Sequence, residues 1–147
     1  MPLSCDDRQQ VQDLMVRYAF AVDEAEEEEF QRIFTDDAVI DGPWGKHEGV
    51  EGVKRFAKNF PRLAVERKNV KGRHLMTNFL IDGDGDSATM KVYFVEFKTD
   101  TSPSDPSRAT TSEVLSTGKY DCLARKVDGA WRLQQRLLTM DAAPARA

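Results

Sequence analysis

The chain is poor in cysteine, with only Cys5 and Cys122 among 147 residues. Two cysteines at that distance make neither a disulfide framework nor a metal-binding spacing, and they fit a reducing cytoplasm. Positive charge is also short. Lys plus Arg number 21 against 25 Asp plus Glu, a formal charge of −4, so the basic footprint of a nucleic-acid binder is missing. The basic stretch of Arg62, Arg67, Lys68, Lys71 and Arg73 reads as a solvated connection from a helix to a strand. No apolar run approaches the length of a membrane span. Leu3-Ser4-Cys5 has the look of a lipoprotein cleavage site, yet neither an apolar run nor a basic region precedes it, which argues against export and lipidation. There is no Gly-rich phosphate loop and no internal repeat.

What is present suits one globular domain spanning 1–147, with apolar residues at 40% and charged residues at 31%. Helical patterning comes first and alternation afterwards, which predicts an α+β fold with helices gathered on one side of a mainly antiparallel sheet. Asp6 or Asp7 can cap a first helix on which Val11, Leu14, Met15, Tyr18 and Val22 recur at helical spacing. The run Glu26 to Glu29 opens a second helix through Phe30, Ile33 and Phe34, ended by Thr35-Asp36-Asp37, and Ala38 to Asp41 form a short strand. A third helix runs from Gly49 to Phe60 and stops at Pro61.

From about Gly72 the period becomes two and four long strands follow. On the first, Leu75, Thr77, Phe79 and Ile81 share one face and His74, Met76, Asn78 and Leu80 the other. Further strands cover Ala88 to Lys98, Glu113 to Lys126 and Trp131 to Met140, with a Ser/Pro-rich loop from Asp100 to Ser112 and a tight Asp128-Gly129 hairpin. Residues 1–6 and 142–147 are expected to be flexible ends. Asp82, Asp84 and Asp86 alternate like calcium-loop ligands, but Ser87 replaces the needed glycine and Tyr93 the bidentate Glu, so a hairpin turn is the better reading.

The chain has just two histidines. His47 falls in a connection and reads as exposed. His74 lies mid-strand beside Met76 and Leu80, where position alone suggests a structural histidine bonded to a carbonyl. Asp23 ends the first helix off the centre of its apolar stripe, bordering a cavity or simply facing solvent. Tyr18 sits on the buried stripe, where a phenol usually finds a polar partner. Arg136 shares a strand face with Arg132 and Gln134, opposite Trp131, Leu133 and Leu137. Glu96, among Phe94, Val95 and Phe97, is either a functional carboxylate or half of a sheet-surface ion pair.

Several segments together resemble SnoaL-like enzymes of the nuclear transport factor 2-like superfamily. They are Val22-Asp23 after a Tyr-bearing helix, Phe34-Thr35-Asp36-Asp37-Ala38, His74 followed by Asn78, Asp84-Gly85-Asp86 and Asp128-Gly129-x-Trp131. The resemblance covers most of the chain. It implies a cystatin-like conical barrel: a strongly curved sheet with three N-terminal helices around a pocket, paired as a homodimer or homotrimer. It is similar in particular to scytalone dehydratase, bile-acid 7α-dehydratase and hexachlorocyclohexane dehydrochlorinase, which implies catalytic roles for Asp23, His74, Tyr18 and Arg136. The implied activity is cofactor-independent and metal-free elimination from a small, largely apolar hydroxylated or carbonyl ring compound. Isomerisation, polyketide cyclisation, epoxide hydrolysis through an Asp-Arg-Asp cluster, and non-catalytic binding or assembly are the alternatives. Candidate pocket residues are Phe20, Phe34, Trp44, Phe56, Phe60, Met76, Asn78, Phe79, Tyr93 and Glu96.

Overall fold

In the computed structural model the described residues are 1–60, 69–102 and 111–142. Pro61, Arg62, Arg67 and Lys68, most of the Ser/Pro-rich loop and the C-terminal tail from residue 143 lie outside them. The first helix, α1 (Cys5–Asp23), buries Val11, Leu14, Met15, Tyr18, Ala19 and Ala21. Its cap is Ser4, whose hydroxyl accepts the Asp7 N–H at 3.0 Å, rather than Asp6 or Asp7. The Met1 ammonium pairs with Asp84, Pro2 bridges to Asp84 and Leu3 is buried.

The helix stops by hydrogen bonding, without glycine. Ala25 takes a left-handed φ of 55° and donates to the Val22 carbonyl, while the Glu26 N–H reaches back to Ala21 at 2.8 Å. This is the doubly bonded C-terminal motif that normally favours Gly, and it fixes where Asp23 ends up. Next come α2 (Glu27–Arg32), β1 (Phe34–Gly42), β2 (Gly45–Glu48) and α3 (Gly49–Ala57). The strand β1 starts four residues earlier than the pattern suggested, because Phe34 and Ala38 bury against the sheet while the acidic pair Asp36-Asp37 stays exposed. The segment carrying His47, expected as a connection, is the edge strand β2, paired antiparallel with β1.

Four long strands follow: β3 (Val70–Asp84), β4 (Ser87–Asp100), β5 (Ser112–Val127) and β6 (Ala130–Met140). The sheet order is β2-β1-β6-β5-β4-β3, antiparallel except for the β1–β6 pair. This curved sheet is not closed into a barrel. Asp128 and Gly129 both take positive φ, 51° and 79°, as a two-residue hairpin between right-twisted strands requires. The core lies between the helices and the inner sheet face. There Phe30 stacks on Phe56, meets Phe34 at a tilt and Phe60 edge-on, and Phe94 packs on Tyr120. A Cβ on Gly118 would come within 2.8 Å of the Phe94 ring and 2.3 Å of the Thr139 carbonyl, so the bare glycine lets that ring lie flat on β5.

Two β-bulges overturn the expected strand faces. On β3 the pairing slips between Thr77 and Leu80, with Asn78 at φ 57°. The inward set is therefore His74 and Met76, then Phe79 and Ile81, and Asn78 is pushed to the surface with Thr77 and Leu80. On β6 the pairing slips between Leu133 and Gln135 opposite Leu123 and Ala124. Arg136 consequently shares the buried face with Trp131, Leu133 and Leu138, not with Arg132 and Gln134.

Candidate active site

The α1 terminus delivers Asp23 to the inner face of β3. Its carboxylate meets two donors of one residue: Oδ1 lies 2.6 Å from His74 Nδ1, and Oδ2 accepts the His74 backbone N–H at 2.8 Å. Both side chains are mostly buried, 9% exposed for Asp23 and 14% for His74. A carboxylate in the last turn of a helix opposes the negative end of the helix dipole, and the two donors offset that repulsion. Beside it, the Arg73 guanidinium pairs with Glu24 at 3.2 Å, a second tie between β3 and the end of α1. With Asp23 ionised, the ring proton is held at Nδ1 and Nε2 is left with its lone pair.

Nε2 faces a second carboxylate. Glu96 Oε2 stands 3.9 Å from it, and the Ser116 hydroxyl donates to the same oxygen at 3.0 Å. Strand register explains the grouping: His74 pairs with Glu96 and Glu96 with Ser116, one row across β3, β4 and β5. The Glu96 side chain is 13% exposed, so it belongs to the inner face. The Phe94 ring lies 6.3 Å from the imidazole.

A second polar group is built around Arg136, which is 2% exposed. Its Nε donates to the Tyr18 hydroxyl at 3.1 Å and its Nη1 to the Asp41 carbonyl at 2.7 Å. The guanidinium also lies 5.7, 5.2 and 5.3 Å from the ring centres of Tyr18, Phe56 and Tyr120. Burial opposes its charge, but the Tyr18 and Tyr120 phenols outweigh that and raise its pKa. Burial, with Tyr18 alongside, pushes the Tyr120 phenol well above its ordinary value, so it stays neutral. Among the described residues Arg136 has no carboxylate partner; the group lying between Asp23 and Glu96 is His74. An Asp-Arg-Asp arrangement is thus not what these residues form.

The structure gathers Asp23 with His74 and Glu96, and Tyr18 with Arg136. Phe60 is buried, while Phe56, Met76 and Phe79 pack against the core. Four expected pocket residues lie elsewhere. Phe20 is 66% exposed, on the side of α1 opposite its buried stripe; Trp44 sits in the β1–β2 turn at 61%. Tyr93 points outward because its neighbours Val92 and Phe94 point in, and Asn78 is displaced by the bulge. Phe34 is buried beside Phe30 and lines a surface cleft of about 420 Å³ with Val53 and Arg132. Phe20 lines another of about 590 Å³ with Val16 and Trp131. Neither cleft includes Asp23 or His74. His47 is half-buried against Phe56, and its Nδ1 has no partner among the described residues, contrary to the exposed reading. Tyr120 and Ser116 were missed; simple alternation with Cys122 and Ala124 would have marked Tyr120 as inward.

No group of His, Cys, Asp and Glu able to hold a metal occurs among the described residues. No described helix is long and apolar enough to cross a membrane.

An open, curved, mainly antiparallel sheet cupping three helices, with polar groups on its inner face, defines the cystatin-like or NTF2-like class of α+β proteins. A protein of unknown function from Nostoc punctiforme, described as having a cystatin-like fold, superimposes with a TM-score of 0.78 at 22% identity, covering 97% of each chain. The chain belongs to the SnoaL-like domain family, which it matches over residues 4–137. A candidate scytalone dehydratase from Novosphingobium aromaticivorans shares the fold at a TM-score of 0.71 and 19% identity, over 92% of this chain and 84% of that one. An uncharacterised Mycobacterium tuberculosis protein is 31% identical over 91 residues, 58% of this chain. The match spans only about half of that curated relative, 56% of its length.

Proposed function

We propose that the protein is a cofactor-independent lyase, with Asp23 and His74 as its general-base dyad. The supporting observation is the pair of hydrogen bonds between Asp23 and His74, 2.6 Å at Nδ1 and 2.8 Å at the backbone. Such a contact fixes one tautomer and offsets the charge the ring gains when Nε2 takes a proton. The substrate in this reading is a small hydroxylated ring ketone. His74 Nε2 removes a proton from the carbon beside the carbonyl, the electron pair moves onto the carbonyl oxygen as an enolate, and loss of the β-hydroxyl as water completes the elimination. An allylic proton shift would use the same first step.

Arg136 and Tyr18 contribute a positive, hydrogen-bonding end to the inner face, suited to negative charge that develops on a carbonyl oxygen. General-base catalysis of this kind contributes about 10²–10⁴-fold. Turnover of β-hydroxycyclohexanone and β-hydroxytetralone should therefore fall by about that factor in His74→Ala and Asp23→Asn. Unchanged turnover in both variants would sink the dyad.

A further inference from the structure

We propose that Glu96 is a second proton-handling group, carrying to the leaving hydroxyl the proton that His74 removes. The idea rests on the lyase reading above. Its basis is a row of three side chains across adjacent strands, in which Glu96 Oε2 lies 3.9 Å from His74 Nε2 and is held by the Ser116 hydroxyl at 3.0 Å.

An imidazole base ends the first step of an elimination holding the proton that the departing oxygen needs, and it either turns to that oxygen itself or hands the proton on. Asp23 cannot relay it, because both its oxygens are occupied on the far side, by Nδ1 and by the His74 backbone N–H. Glu96 is the carboxylate on the Nε2 side. The gap of 3.9 Å is too long for a resting hydrogen bond but is closed by a shift of about an ångström, well within side-chain motion.

The sequence balances without any other reactant. Nε2 takes the proton from the carbon next to the carbonyl, and the C–H electron pair forms the enolate. The proton passes from Nε2 to Glu96 Oε2, returning the imidazole to its starting form. Glu96 then gives it to the β-hydroxyl as the C–O bond breaks with its electron pair. The enolate electrons form the new double bond, and water departs. Asp23, His74 and Glu96 all end as they began. Ser116 is a positioning residue, holding the oxygen that faces Nε2.

Removal of the C–H proton and loss of water are thus assigned to different side chains, and the two can be read separately. In heavy water, solvent deuterium incorporated into recovered β-hydroxytetralone reports proton removal, and formation of the aromatic product reports elimination. Glu96→Gln should exchange no more slowly than wild type, because enolate that cannot eliminate returns to substrate, while elimination falls at least about 10²-fold. Glu96→Asp should recover part of the elimination. His74→Ala should lose both. Retained exchange also shows that Glu96→Gln is folded. Elimination at the wild-type rate in Glu96→Gln, or equal loss of exchange and elimination, overturns the relay while leaving the base in place. A wild-type protein that neither exchanges nor eliminates either ring ketone overturns the lyase reading, and the relay with it.

Discussion

Replacing Asp23 by asparagine tests the central geometry with no substrate at all. The native carboxylate presents two acceptors to two donors of His74, at 2.6 Å from Nδ1 and 2.8 Å from the backbone nitrogen. Asparagine presents one acceptor and one donor. The backbone N–H cannot change its proton, so the amide oxygen turns to it and the NH₂ faces Nδ1. Nδ1 must then accept, and the ring proton moves to Nε2. The opposite amide orientation sets two donors against each other and leaves a part-buried one unsatisfied, at about 1–3 kcal/mol. At about 1.4 kcal/mol per decade, the displaced tautomer should prevail by roughly five- to a hundred-fold. Exchanging a charged for a neutral acceptor should cost about 1–2 kcal/mol of stability, or about 2–8 °C in melting temperature for a chain of this size. The assay is long-range proton–nitrogen correlation on isotope-labelled histidine at about pH 8.5, two units above the ordinary histidine value. With only two histidines in the chain, His47→Gln assigns the signals. Wild type should show the proton at Nδ1 and Asp23→Asn at Nε2; an Asp23→Asn spectrum still protonated at Nδ1 refutes the reasoning.

The cysteines offer a chemical check on the core. Cys122 is 4% exposed and its thiol is pushed up to about 12 by burial, whereas Cys5 is exposed. A thiol reagent at neutral pH should modify one cysteine per native chain and two after denaturation; two fast native equivalents would mean that β5 is not packed as described. Asp7 ties α1 to the β5–β6 hairpin through Lys126 at 2.7 Å and the Trp131 indole at 2.8 Å. Lys126, then Trp131 and Ser4, hold its carboxyl well below the ordinary range, and Asp7 in turn raises Lys126. A depressed carboxyl contributes stability above its unfolded value that is lost as pH falls, and a raised amine contributes stability lost at high pH. Asp7→Asn should thus lower the urea midpoint most between about pH 4 and pH 10, with the difference shrinking towards about pH 2; a difference that grows on acidification contradicts this.

Much of the site was legible because its signals are local or rare. Helical spacing alone put Tyr18 on the buried stripe of α1. Two histidines in 147 residues made a mid-strand His74 conspicuous, and the resemblance to SnoaL-like enzymes supplied its partner. The aromatic wall was harder to read. Phe20, Trp44 and Tyr93 are aromatic like Phe56 and Phe60, and residue type alone does not say which side of an element faces the core. Glu96 reads either way in the sequence because its inward direction depends on pairing with His74 and Ser116, residues 22 and 20 positions away.

The sequence by itself determined the class of fold and the order of its parts. Periods of 3.6 and 2 are properties of the residues' own spacing, and Asp128-Gly129 favours its hairpin whatever surrounds it. Tertiary structure alone decided which residues meet. The bulges at Asn78 and Gln134 each insert one unpaired residue, and with a side-chain period of two, one residue is enough to exchange the faces of everything that follows. That shift turned Arg136 inward to Tyr18 and Asn78 out to solvent. The contact between Asp23 and His74, 51 residues apart, depends on the exit angle of α1 set at Ala25 and on the register of β3, neither of which any stretch of sequence specifies without the other.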